Sequence, residues 1–255
     1  MKKFELTQEH KINENGCTLY RIRACRNFIT ISGYEVKEND LGGWIEKEDN
    51  LSDKGKAWVH DNAEVYGYAK IYDNAEIHDN AKIYNHAKIF GEAEIYDNAE
   101  VYGYAEIYGS AKIHDNAKIY DDVEIWDNAE ICDRAKIFNY AQIYGNAQIY
   151  NDSKIYNYAR IYYNAKVYDN AQIYANAKIH GSAEISDNAE IYGNAQIYGN
   201  AEIYDSAQIY GYAKIYGNTK IHDSAEVYGD AKFFGNTEIY GNVKIYRNDG
   251  YLEIS

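Results

Sequence analysis

Four histidines, His60, His78, His114 and His222, are separated by one, two and six copies of a single interval, 78 − 60 = 18, and an aspartate directly follows each one. Imidazole pairs beside carboxylates are a donor set that transition metals accept. If that interval is one coil, His60 and His78 stack on adjacent coils, which makes them the two weak candidates for metal ligands. A plainer reading is that histidine replaces tyrosine at a solvated position, as His180 does elsewhere in the chain. The expectation is therefore a solvated ladder with no metal and no cofactor. Cys132 is in phase with these histidines, but no pattern places a base beside it, so it reads as an exposed thiol. No residue is assigned a catalytic role.

Two longer rows share the period. Asp61, Asp79, Asp97, Asp115, Asp133, Asp169, Asp187, Asp205 and Asp223 fill nine of eleven equivalent positions, with Asn151 and Gly241 in the others. Stacked carboxylates repel one another, so stability alone does not favour the row. Aspartate can instead bond the turn backbone as an Asx motif. It can also form a linear acidic edge that imitates nucleic-acid phosphate toward a basic protein. Calcium is a third option, although the glycine-rich nonapeptide of calcium-binding β-rolls is missing. The aromatic row, Tyr66, Tyr84, Tyr102, Tyr120, Tyr156, Tyr174, Tyr192 and Tyr210 with Phe138, Tyr228 and Tyr246, holds a ring in all eleven places. Such rings can stack on one another or form an interface.

What positions these rows is a hexad. From Ala57 to Asn248 the chain reads as 192/6 = 32 hexads without insertion or deletion. Alanine opens 27 of them, and the third slot is Ile or Val in all but the one containing Phe233. Lys, Glu or Gln fills most second slots, while Asn, Gly, Asp and Ser crowd the fifth and sixth. Ala and Ile two residues apart share one face of a strand, and the charge between them takes the other. Gly, Asn and Asp then supply a corner that needs positive φ. An α-helix is excluded, because a period of six drifts out of register at 3.6 residues per turn. Fifth-slot identity repeats every third hexad, so three strands make one coil. The prediction is an all-β fold, a single-stranded parallel β-helix shaped as a triangular prism of 32/3, or about eleven, 18-residue coils.

Residues 1–56 lack the period and carry a net charge of 10 − 10 = 0, against 16 − 28 = −12 for residues 57–248. Leu19–Ala24 and Phe28–Ile31 read as strands, and Asn15-Gly16 and Ser32-Gly33 as turns. A small N-terminal β cap domain over the first coil is expected, and a binding head is the alternative. Residues 249–255 read as a C-terminal tail.

Tyr20-Arg21-Ile22-Arg23-Ala24, Asp40-Leu41-Gly42-Gly43-Trp44-Ile45-Glu46, Asn50-Leu51-Ser52, Gly55 and Trp58-Val59 resemble the N-terminal signature of a family of bacterial and bacteriophage hexapeptide-repeat proteins. The repeats, in which Ile71 is followed four residues later by Ala75, match the same family. The resemblance implies a left-handed β-helix, trimers as a common assembly, and the acetyltransferase label its members often carry. It brings no catalytic residues that map onto this chain. Acyltransferases and γ-type carbonic anhydrases of this fold usually interrupt their coils with loops that shape a site; these 32 hexads contain none.

With a net charge of −14, phosphate neutralisation of DNA or RNA is not expected. No apolar run is long enough for a membrane span, and Met1-Lys2-Lys3-Phe4-Glu5 does not open a signal peptide. Three widely spaced cysteines form no disulfide framework, which points to the cytoplasm. The expected function is non-catalytic: a binding or scaffold protein that shows an acidic and aromatic surface to a protein partner, a basic one for preference. A phage-encoded antagonist of a host protein fits that surface, and a dimer or trimer of this chain is a second expectation. The alternative is an acetyl-CoA-dependent acyltransferase.

Overall fold

The computed structural model describes residues 2–246, so the expected 249–255 tail and the last two repeat residues, 247 and 248, lie outside the described residues. The described residues are all-β apart from one 3-10 turn at Glu48–Asn50. Parallel strands two residues long stack coil upon coil into a β-solenoid of about eleven turns, as the hexads predict. Two compact units divide the chain after Asn128.

The first unit holds the N-terminal segment and the first four coils, since 57–128 is 72/18 = 4 coils. Strands β1 (Phe4–Ile12) and β2 (Thr18–Ala24) pair antiparallel around the Asn15-Gly16 turn. Strands β3 (Phe28–Ile29) and β4 (Glu35–Val36) form a short hairpin around Ser32-Gly33. The expected strand at Phe28–Ile31 is shorter, ending at Ile29, and β1, β4 and β5 (Leu41–Ile45) lie outside the expected strands. Strand β5 pairs antiparallel with β2, and parallel with Glu64–Val65 of the first coil, so it joins two kinds of sheet. The first coil comprises β6 (Trp58–Val59), β7 (Glu64–Val65) and β8 (Lys70–Ile71), and β9 (Glu76–Ile77) begins the second. The second unit repeats the same coil from Ala129 onward, for example Gln148–Ile149 on Lys166–Val167.

The core is the sequence pattern made solid. Ala63, Ala69, Ala75 and their equivalents are fully buried together with Val65, Ile71 and Ile77, while second-slot Lys and Glu stand outward. Each coil donates to the next along a ladder from residue i to i+17, as in Trp58 N to Ala75 O at 3.1 Å and Glu64 N to Ala81 O at 2.9 Å. A chain with no proline loses none of these donors.

Because N–H groups point to the following coil, the carbonyls of the first coil have no preceding coil to serve them. The N-terminal segment supplies the donors. Trp44 N and Glu46 N bond Ala63 O and Val65 O, at 2.9 and 3.1 Å. Ser52 N bonds Ile71 O at 2.8 Å. The buried Asn50 amide bonds Ala69 O at 2.9 Å, and the buried Lys3 amine bonds Ala57 O at 2.8 Å. Burial lowers the Lys3 pKa to about 8. Gly42 and Gly43 are required here: a Cβ on Gly43 would sit 2.7 Å from His60 O and 2.8 Å from Ala63 O. Only glycine lets β5 lie this close to the first coil.

Candidate functional site

The aspartate row stands at a corner where every backbone φ is positive. All nine aspartates lie between 46° and 59°, a region that Asp and Asn tolerate better than other non-glycine residues. Their carboxylates also reach the backbone of the next coil. In the first unit, Asp79 accepts from Asp97 N and Asp97 from Asp115 N, each at 3.3 Å. In the second, Asp133 accepts from Asn151 N at 3.0 Å, Asp205 from Asp223 N at 3.1 Å, and Asp223 from Gly241 N at 2.8 Å. These bonds run between coils, to the residue 18 positions ahead, whereas an Asx motif bonds within its own turn.

Charge on this row is another matter. Second-slot lysines pair with glutamates of the adjacent coil, as Lys88 does with Glu106 at 2.7 Å and Lys220 with Glu202 at 2.8 Å. Among the described residues, Asp79, Asp97 and Asp187 have no cationic partner within 4.0 Å. Asparagine meets the same backbone need at this corner in Asn151, φ 57°, and at other corners in Asn85, Asn139 and Asn157.

The aromatic row is stacked face to face. Tyr66–Tyr84, Tyr84–Tyr102 and Tyr102–Tyr120 have centroids 5.0, 4.7 and 5.1 Å apart with planes within 7°. Tyr156, Tyr174, Tyr192 and Tyr210 continue the same geometry in the second unit, at 4.8–4.9 Å. Burial in the stack raises their hydroxyl pKa values, Tyr174 to about 12. Tyr66 is not at the surface at all: Asn15 donates to its hydroxyl at 2.9 Å, and it packs with Leu19 and Trp44. The sixth-slot corner residues Tyr68, Tyr104, Tyr140, Tyr158 and Tyr212 are all exposed, and so are Tyr34, Tyr163, Tyr240 and Tyr246. Tyr68, His86 and Tyr104 stack there and border an open groove with Lys70, Lys88 and Glu106.

His60 departs from the expected solvated ladder. It is only 4% exposed, because the β3–β4 hairpin lies over this side of the first coil. Phe28 packs edge-on against Trp58, and Tyr34 edge-on against His60. His60 and His78 do stack on adjacent coils, with centroids 4.0 Å apart and planes 12° apart. Between them sits Glu76, fully buried, which the sequence reading did not single out. Its carboxylate accepts from Ser32 N at 2.8 Å and from the Ser32 hydroxyl at 2.9 Å. Burial alone would raise this carboxyl, but His60, Ser32 and Thr30 outweigh it and hold the pKa at about 2. Burial and the neighbouring His60 lower the pKa of His78. The available signal was Trp58, an indole in a slot that elsewhere carries mostly Lys, Glu or Gln. A tryptophan facing outward there requires a cover.

His222 lies near Asp223 and Asp205, at 3.6 and 3.9 Å, in a more open setting. No helix among the described residues is long and apolar enough to cross a membrane. No family model matches this sequence, and no curated protein matches it either.

Proposed function

We propose that this chain is a non-catalytic binding or scaffold protein whose acidic corner row docks a basic protein partner. One observation carries the reading. Asparagine satisfies the positive φ at Asn151 and ties the coils through its side-chain amide, which donates to Asp169 Oδ1 at 2.9 Å, yet nine of eleven corners carry a charge that repels its neighbours. Residues retained at a cost to stability are those a binding surface needs. The corner tyrosines, Tyr68 and Tyr104 among them, supply the amphipathic rings that protein interfaces favour. The stacked fourth-slot tyrosines contribute rigidity to that surface more than contact area.

The resemblance to hexapeptide-repeat proteins of bacteria and bacteriophages directs the proposal further, to a phage-encoded antagonist acting in the host cytoplasm. Association of copies into a dimer or trimer belongs to the same reading. The deciding experiment is capture from host lysate, with bound proteins identified by mass spectrometry. Wild type retains a basic protein in a salt-sensitive manner, and the Asp79→Asn, Asp97→Asn, Asp115→Asn, Asp133→Asn variant keeps its circular dichroism but loses that protein. Equal capture by both chains would refute the proposal.

A further inference from the structure

We propose that His60, Glu76 and His78 form a binding site for one divalent transition-metal ion of the zinc class. The three side chains bring one ligand atom each to within 4.8 Å of one another. His60 Nε2 and His78 Nε2 lie 3.3 and 3.5 Å from the same Glu76 oxygen, Oε2. A tetrahedral ion with bonds of about 2.0–2.2 Å has ligand-to-ligand edges of roughly 3.3–3.6 Å, so both distances are those of two ligands sharing an ion.

Burial points the same way. His60 Nε2 is a buried atom with no hydrogen-bond partner, since its 3.3 Å approach to Glu76 is out of line for a hydrogen bond. A buried polar atom left this way is costly unless something else bonds it. Glu76 is a fully buried carboxylate beside two imidazoles, and no lysine or arginine among the described residues pairs with it. Neutral imidazole and ionised carboxylate are the protonation states a metal ion binds. Ser32 fixes the carboxylate from behind through its N–H and hydroxyl, the outer-shell support typical of metal ligands. The two imidazole planes are 12° apart in the stack, so sharing one ion requires the partly exposed His78 ring to turn out of it. Two histidines and one glutamate leave a fourth position for water. His60 belongs to the first coil and Glu76 and His78 to the second, so an ion here ties two coils together beneath the β3–β4 hairpin, whose Ser32 holds the shared carboxylate.

The test uses the full chain, stripped with chelator and dialysed against Co²⁺ or Zn²⁺, with bound metal quantified after desalting. The expected result is one ion per chain, visible ligand-field bands typical of tetrahedral Co²⁺, and a raised melting temperature. His78→Phe keeps a stacking ring without a donor atom, so the variant folds but loses retained metal, with affinity lower by at least about a hundredfold. Ser32→Ala weakens binding by about 10–100-fold through loss of outer-shell support. His180→Phe, far along the sequence, leaves binding unchanged. Absence of retained metal in wild type would overturn the proposal. So would retention by His78→Phe at wild-type affinity, which would place the ion elsewhere, for instance at Asp205 and His222.

Discussion

Asp97 separates the structural work of the acidic row from its charge. Its φ is 57°, and its carboxylate accepts the Asp115 N–H at 3.3 Å. Alanine at this corner loses the tolerance for positive φ, worth about 1 kcal/mol, and the acceptor bond, worth about another 1 kcal/mol. Asparagine keeps the first and offers its Oδ1 for the second. Each replacement also removes one charge from between Asp79 and Asp115. At a strand spacing of about 4.8 Å, each like-charge neighbour costs about 332/(80 × 4.8), or roughly 0.9 kcal/mol in water. Physiological salt halves that figure, roughly, so two neighbours together repel by about 1 kcal/mol. The prediction is that Asp97→Asn stabilises the chain by up to about 1 kcal/mol and Asp97→Ala destabilises it by about 1 kcal/mol.

The gap of about 2 kcal/mol between these variants is free of charge effects, because both are neutral. Urea unfolding followed by tyrosine fluorescence, fitted with a common slope, measures the gap. Repeating it at low salt should widen the advantage of asparagine over wild type and leave the asparagine–alanine gap alone. A gap below about 0.5 kcal/mol, no larger than the scatter of ordinary surface substitutions, would refute the structural account of the corner. An asparagine variant less stable than wild type at low salt would refute the repulsion, and with it the reason for assigning the row a binding role.

Gly43→Ala forces a methyl group toward His60 O and Ala63 O and should cost about 3 kcal/mol, read as a lower denaturation midpoint. Ala175→Gly relieves a positive φ of 58° at a corner and should stabilise by about 1 kcal/mol in the same assay. Burial raises Tyr66, Tyr150 and Tyr174 to about 12, above the ordinary value of 10.0. The folded state thus holds these protons more tightly, so their stabilisation is full below pH 10 and is lost as pH rises from 10 toward 12. A melting temperature that stays flat from pH 9 to pH 12 would contradict this.

The solenoid was legible because its physics is local. Ala57 to Asn248 repeats one inward pair and one corner per hexad, and the core, the ladder and the positive-φ corners all follow from that unit. The N-terminal segment was not, because its role is set by groups distant in sequence. Nothing local in Lys3 or Asn50 announces that each will be buried against carbonyls of the first coil, 54 and 19 residues away. Strand β5 went unseen for a related reason: Leu41-Gly42-Gly43-Trp44-Ile45 has poor intrinsic strand character, and its two glycines make sense only beside the coil they touch.

His60, Glu76 and His78 combine both cases. The hexad places them in register, but burial comes from the β3–β4 hairpin, so a repeat-based reading assigns them to solvent. The same glutamate in an ordinary coil is a half-exposed partner for lysine, as Glu106 is for Lys88. Under the hairpin it becomes a desolvated anion with one oxygen 3.3 and 3.5 Å from two imidazole nitrogens. A repeat chain acquires a specific site where a non-repeating element covers an otherwise ordinary position, and in this protein the first two coils meet that condition. The docking role we propose for the corner row takes the opposite route. Its members are ordinary one by one, and the proposal rests on their uniformity, a charge in nine of eleven coils at a positive-φ position that asparagine also tolerates.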